Sequence, residues 1–134
     1  MTRGSLPRLA SFAVLALLCG CGAGGGDYQL ALPHGYALAR ANSMQHSVIT
    51  PEGRLVVLPD VVELGRSGDV VFGRTERPAD PSLDLGGTPG YFVVRTADGA
   101  VRTGMAREEW LAALRELGVS GEPVLQRPTG DLRL

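Results

Sequence analysis

Hydrophobic positions along this chain fall into three regimes. From Leu9 to Leu18 they run without a break except Ser11, from Tyr28 to Thr103 they recur mainly every second residue, and from Ala106 to Leu117 they follow helical spacing. A period of two is that of half-buried strands, and a period near 3.6 is that of an amphipathic helix. The glycine run Gly22-Ala-Gly-Gly-Gly26 separates the first regime from the second.

The strand-like region begins with Tyr28, Leu30 and Leu32, turns at Pro33-His34-Gly35, and returns through Tyr36-Ala-Leu-Ala-Arg-Ala41. His46-Ser-Val-Ile-Thr50 and Arg54-Leu-Val-Val-Leu58 flank Pro51-Glu52-Gly53, a three-residue hairpin loop with Gly where a positive φ is needed. Asp60-Val-Val-Glu-Leu64 is compatible with a short strand or a helical turn. Val70-Val-Phe-Gly-Arg-Thr75 is a further strand, introduced by turn residues at 66–69. Glu76 to Gly90 holds Pro78, Pro81, Pro89 and Gly86-Gly87, and is expected to be an irregular loop. Tyr91-Phe-Val-Val-Arg-Thr96 and Ala100-Val-Arg-Thr103 form a hairpin closed by Ala97-Asp98-Gly99. Its continuous apolar run marks a strand buried on both faces and central to its sheet.

In the helical regime, Trp110, Leu111, Leu114 and Leu117 make one apolar stripe. Glu108 and Glu109 lie in the first turn and Arg115 near the end, as the helix dipole favours, and Gly118 suits the position after the last turn. Pro123-Val-Leu-Gln126 is expected to add an edge strand with Pro at its beginning. The fold class expected is α+β: a mostly antiparallel β-sheet of six or seven strands with one amphipathic helix in the C-terminal half. It occupies a single small domain over 28–134.

Composition narrows the functional classes. Of 134 residues, 44% are hydrophobic and 20% charged, which excludes a disordered tail and a membrane channel. All basic residues are Arg, a usage we ascribe to a GC-rich genome. The formal net charge of −1 gives no strongly basic surface, so no nucleic acid is expected as a partner. Both cysteines lie within the first 21 positions, which leaves no disulfide framework or Cys-based zinc site in the folded part.

Arg3 and Arg8 precede the apolar run as a positive n-region. As a helix the ten residues Leu9–Leu18 would span about 15 Å, roughly half the hydrocarbon core, which suits a signal-peptide h-region and not a membrane span. A helix apolar on every face would otherwise need a core all around it. The next residues, Leu18-Cys19-Gly20-Cys21, resemble the lipobox of bacterial lipoproteins, with Leu18 three places and Gly20 one place before Cys21. Cys19 fits the modified position badly, because Leu18 would then stand immediately before the cut. The resemblance implies cleavage between Gly20 and Cys21 and acylation of Cys21, so that membrane lipid becomes a partner through this residue. Two or three acyl chains give stable anchoring where one gives only marginal binding. An ordinary secretory signal with an incidental cysteine is the alternative. Gly22, in place of Asp, implies the outer membrane over the inner one by similarity to the sorting rule of enteric bacteria.

The chain then divides into a signal peptide (1–20), a lipidated Cys and Gly-rich tether (21–27), and the folded domain (28–134). Cleavage removes Arg3 and Arg8, so the mature chain carries 11 Arg against 14 acidic residues, a net charge of −3. Residues 22–27 span on the order of 13 Å as a flexible coil, which holds the domain close to the bilayer. A Gly-rich run that cradles phosphate needs a strand before it and a helix start after it, and neither context is present here.

Candidate chemistry is sparse. His34 and His46 are the only imidazoles and stand twelve apart on a turn and a strand start, without metal-ligand spacing, so no metal is expected. Ser43 lacks a nucleophile elbow, and no triad is assigned. Asp80, Asp84 and Asp98 form no calcium loop. Arg40, Asn42 and His46 are the candidate polar site, although Asn42 and Ser43 also suit local backbone capping. Trp110 fits the core anchor of its helix better than a partner hot spot. No cofactor is expected. The mature part is similar to small exported bacterial proteins that pair a Gly-Tyr-x-Leu strand with a Tyr-Phe-Val-Val hairpin before a Trp-bearing helix. Here these pieces are Gly35-Tyr36-Ala37-Leu38, Tyr91 to Val94, and Glu109-Trp110. That resemblance implies no activity. The function expected is a lipid-anchored, non-enzymatic envelope module that binds another envelope protein. The rival is a small-ligand-binding or inhibitor-type module built on the Glu76–Gly90 loop and the Arg40–His46 segment.

Overall fold

The computed structural model describes residues 28–41 and 45–134. Gly20, Cys21, the tether, Asn42 and Ser43 lie outside the described residues. Sheet one is a four-stranded antiparallel meander of β1 (Tyr28–Ala31), β2 (Ala37–Ala41), β3 (Gln45–Ile49) and β4 (Leu55–Val57). Sheet two repeats the arrangement with β5 (Val61–Ser67), β6 (Val70–Thr75), β7 (Gly90–Arg95) and β8 (Ala100–Met105). Among the described residues one α-helix, α1 (Arg107–Glu116), follows β8. Among the described residues, no helix is long and apolar enough to cross a membrane.

The architecture is thus mostly antiparallel β with one C-terminal helix, but it has eight strands in two sheets where six or seven strands were expected. The difference arises at Asp60–Leu64. Val61 and Leu64 both point into the core although they are three residues apart, because the register slips between Val61 and Glu63. A bulge of this kind adds one residue to the inward spacing and so imitates a helical turn in the sequence. The strand also runs on through Arg66 and Ser67, and only Gly68 and Asp69 form the turn. Pro123–Gln126 is not a strand. It contributes one bridge, in which Leu64 and Gln126 exchange backbone hydrogen bonds of 2.9 and 2.8 Å.

Alternation along β6 and β7 sorts their side chains into two cores. Val71, Phe92 and Val94 face sheet one and meet Leu38, Val48 and Val57 there. Val70, Phe72 and Val93 face the other way and meet Trp110, Ala113 and Leu114 of α1. Sheet two is therefore the middle layer, buried on both faces, as the continuous apolar runs required. Trp110 is 1% exposed, and its indole N–H donates to the Phe92 carbonyl at 3.0 Å, which ties helix to sheet through the one polar atom of the anchor. Gly118, at φ +85, follows the C-terminal turn of α1, where Leu117 and Val119 donate to carbonyls of the last turn.

Candidate functional site

The inner face of sheet one is apolar along most of its length and polar at one end. Tyr28 pairs with Arg40 across β1 and β2, and Arg40 pairs with His46 across β2 and β3. These three positions have the same parity as Leu30, Leu38 and Val48, so they share the face turned towards sheet two. Tyr28 Oη lies 2.6 Å from His46 Nε2, with ring centroids 5.7 Å apart. The Arg40 guanidinium sits 5.5 Å from the centre of the Tyr28 ring, within cation–π range.

Asp60 completes the group from the link between the sheets. Its Oδ1 accepts the His46 backbone N–H at 3.0 Å and lies 3.8 Å from His46 Nδ1. Its backbone exchanges hydrogen bonds with Glu76 at 3.1 and 3.0 Å, which fixes Asp60 to the end of β6. Burial holds the His46 imidazole below its ordinary pKa, the Asp60 carboxylate pulls it upward, and Arg40 lowers it further. Burial raises the Tyr28 phenol, opposed by Arg40 and reinforced by Asp131. Tyr28 Oη and His46 Nε2 share one hydrogen bond, and the other ring nitrogen, Nδ1, faces the Asp60 carboxylate. The arrangement clasps β1, β3 and the inter-sheet link, and it holds one proton between phenol and ring.

Of the residues singled out from the sequence, Arg40 and His46 stand side by side, while Asn42 falls outside the described residues. His34, in the single turn Pro33–Gly35, pairs with Asp69 at 3.3 Å and does not join His46. Among the described residues no group of three His, Cys, Asp or Glu side chains is placed to hold a metal. Asp80 caps Ser82, Asp84 accepts from Arg77 and Gly86, and Asp98 accepts from Arg95 and Ala100. Tyr28 and Asp60 were missed. Tyr28 was recoverable, because Tyr28 and Arg40 are equidistant from His34 at the centre of the turn. Asp60 carries no local signal; only the approach of the two sheets brings it to His46.

The 76–90 loop meets the Arg40–His46 region through Gln45, a buried side chain whose amide donates to the Leu83 carbonyl at 2.7 Å. Next to that contact the loop and the end of β4 border a small open cleft of about 130 Å³. Val56, Leu58 and Pro89 contribute its apolar wall, Thr88 and Thr103 its hydroxyls, and Arg77 and Asp84 an ion pair of 3.2 Å at its side. Pro59 lines the cleft while Asp60, the next residue, reaches back to His46, so the cleft and the polar cluster share one hinge of chain. No family model, curated protein or solved structure matches this chain.

Proposed function

We propose that this chain is a lipid-anchored, non-enzymatic protein of a bacterial cell envelope, whose folded part engages another envelope protein. The observation that carries the proposal is Leu18-Cys19-Gly20-Cys21 directly behind a ten-residue apolar run. With Cys21 acylated in the bilayer, the six residues 22–27 would give Tyr28 a root-mean-square reach of roughly 13 Å from the lipid surface. Gly22 favours the outer membrane, with the folded part facing the periplasm.

The test is fractionation of the Cys21→Ala variant together with the intact mass of the parent. The parent should sediment with membranes at the mass of a chain starting at Cys21 and carrying two or three acyl chains. The variant should move to the soluble periplasmic fraction, and a variant that stays with the membrane overturns the anchor. A C-terminally tagged copy, captured from detergent-solubilised native membranes, should bring down one envelope protein in stoichiometric amount. Recovery of the lipidated chain alone rejects the partner.

A second reading, a small-ligand-binding module, is favoured by the Gln45–Leu83 hydrogen bond. That bond joins the Arg40–His46 segment to the 76–90 loop beside the open cleft.

A further inference from the structure

We propose that β8 is a docking edge for an extended peptide segment of another protein, which adds a strand to sheet two and seats one apolar side chain between β8 and α1. This rests on the envelope-partner reading above and adds the chemistry of the partner. A sheet edge presents backbone N–H and C=O groups at alternate residues, ready to pair with an incoming strand. The two sheets have four edges, and three of them are short or covered. β1 and β4 have four and three residues, and β5 carries the bridge from Leu64 to Gln126. β8 has six residues and pairs only with β7 among the described residues. Gly104, near its far end, lies close against Thr88. That leaves residues 100–103, of which Ala100, Arg102 and Thr103 are exposed.

A hollow of about 150 Å³ lies beside this edge on the helix side. Arg102 stands opposite Val93 and Ala100 opposite Arg95, so these cross-strand partners share the face turned to α1. Val93, Ala100, Ala113 and Leu117 form the apolar lining, and the two alanines stand where longer side chains would close the space. A space of about 150 Å³ accepts one benzene-sized group, so it suits a single Leu, Met or Phe side chain. A strand paired to β8 turns every second side chain to this face, over the hollow. Charge selects the neighbour of that anchor. Arg95 is paired with Asp98 at 3.2 Å and Arg102 with Glu109 at 3.1 Å, whereas Glu116 on the same rim has no partner among the described residues. The rim thus carries one net negative charge, complementary to a Lys or Arg two residues from the anchor on the incoming strand. A second copy of this chain fits worse, because the helix-side residues of its β8 are Ala100 and Arg102, and neither supplies an apolar anchor.

The experiment pans random seven-residue peptides, displayed on phage, against the full chain in mild detergent. Enriched sequences should combine one Leu, Met or Phe with a Lys or Arg two places away. N-methylation of alternate residues in the synthetic peptide should abolish binding in one frame and spare it in the other, because a strand bonds each neighbour through alternate residues. Ala100→Leu, at an exposed position, should fill the hollow and lower affinity at least tenfold with an unchanged Tm. Glu116→Lys should lower it about threefold. No enrichment, equal binding in both frames, or binding untouched by Ala100→Leu overturns the docking edge. A dimer in sedimentation that Ala100→Leu dissolves also overturns it and assigns the edge to a second copy. Capture from native membranes separates the two readings. An envelope protein still retained by Ala100→Leu leaves the partner reading standing without this edge, and a parent that captures nothing overturns the partner reading itself.

Discussion

The Tyr28 hydroxyl and His46 Nε2 share a hydrogen bond of 2.6 Å, a contact eighteen residues apart in sequence that joins the first strand of the fold to the third. The Tyr28 ring also lies beneath the Arg40 guanidinium. Tyr28→Phe deletes the hydrogen bond and keeps the ring, and should cost about 1 kcal/mol in urea denaturation. Tyr28→Ala deletes both and should cost more. A Phe variant as stable as the parent would show that the hydrogen bond contributes nothing net.

His46 sets a pH dependence whose sign follows from its surroundings. Burial places its folded-state pKa below 6.5, with Asp60 opposing and Arg40 adding to the shift. As pH falls through 6.5 the unfolded chain takes up the proton first, so it holds more protons than the folded chain. The stability associated with neutral His46 is complete above 6.5 and is lost as pH falls towards the folded-state pKa. Tm should therefore drop between pH 7.5 and pH 5.5, and His46→Gln should flatten that slope. An unchanged slope in the variant contradicts this assignment.

Trp110 fills the core between α1 and sheet two, with Tyr91 and Phe72 ring centroids 4.5 and 6.1 Å away. Trp110→Ala should cost about 3–5 kcal/mol, the range for deletion of a large buried ring. Trp110→Phe should lie between Ala and the parent, because it restores much of the volume yet leaves the Phe92 carbonyl without its donor. Chemical denaturation of the three proteins checks this order.

Two glycine substitutions should differ in size for separate reasons. A Cβ at Gly73 would stand 2.1 Å from the Glu63 carbonyl oxygen and 2.9 Å from a Phe92 ring carbon, so Gly73→Ala should cost about 3 kcal/mol through overpacking. Gly53 has open space around it and only a backbone demand, φ +87, so Gly53→Ala should cost about 1 kcal/mol. Equal losses in thermal denaturation would contradict the packing account of Gly73.

Ala106 is the N-cap of helix α1, with an extended backbone and no side-chain hydrogen bond to the first turn. Ala106→Ser supplies an oxygen for the free N–H groups of the first turn and should stabilise the protein by about 0.5–1 kcal/mol. A rise in urea midpoint without a change in slope is the expected readout.

Local pattern was sufficient where each element repeats its own period. The Trp110–Leu114–Leu117 stripe, the Gly53 hairpin and the apolar run of β7 declare helix, turn and central strand from neighbouring residues alone. The apolar run at Leu9–Leu18 and the spacing of Leu18, Gly20 and Cys21 carry the anchor proposal in the same way, without any tertiary contact. Tertiary structure decided what periods cannot carry. It split eight strands into two sheets, because the bulge after Val61 disguises a strand as a helical turn and because sheet-to-sheet packing depends on contacts far apart in sequence. It also chose the companions of Arg40 and His46. Tyr28 joins them through the register of one hairpin, which equal counting from His34 reveals, whereas Asp60 joins only because the second sheet folds back across the first. Backbone pairing is local and leaves its trace in the sequence; the meeting of two packed layers does not.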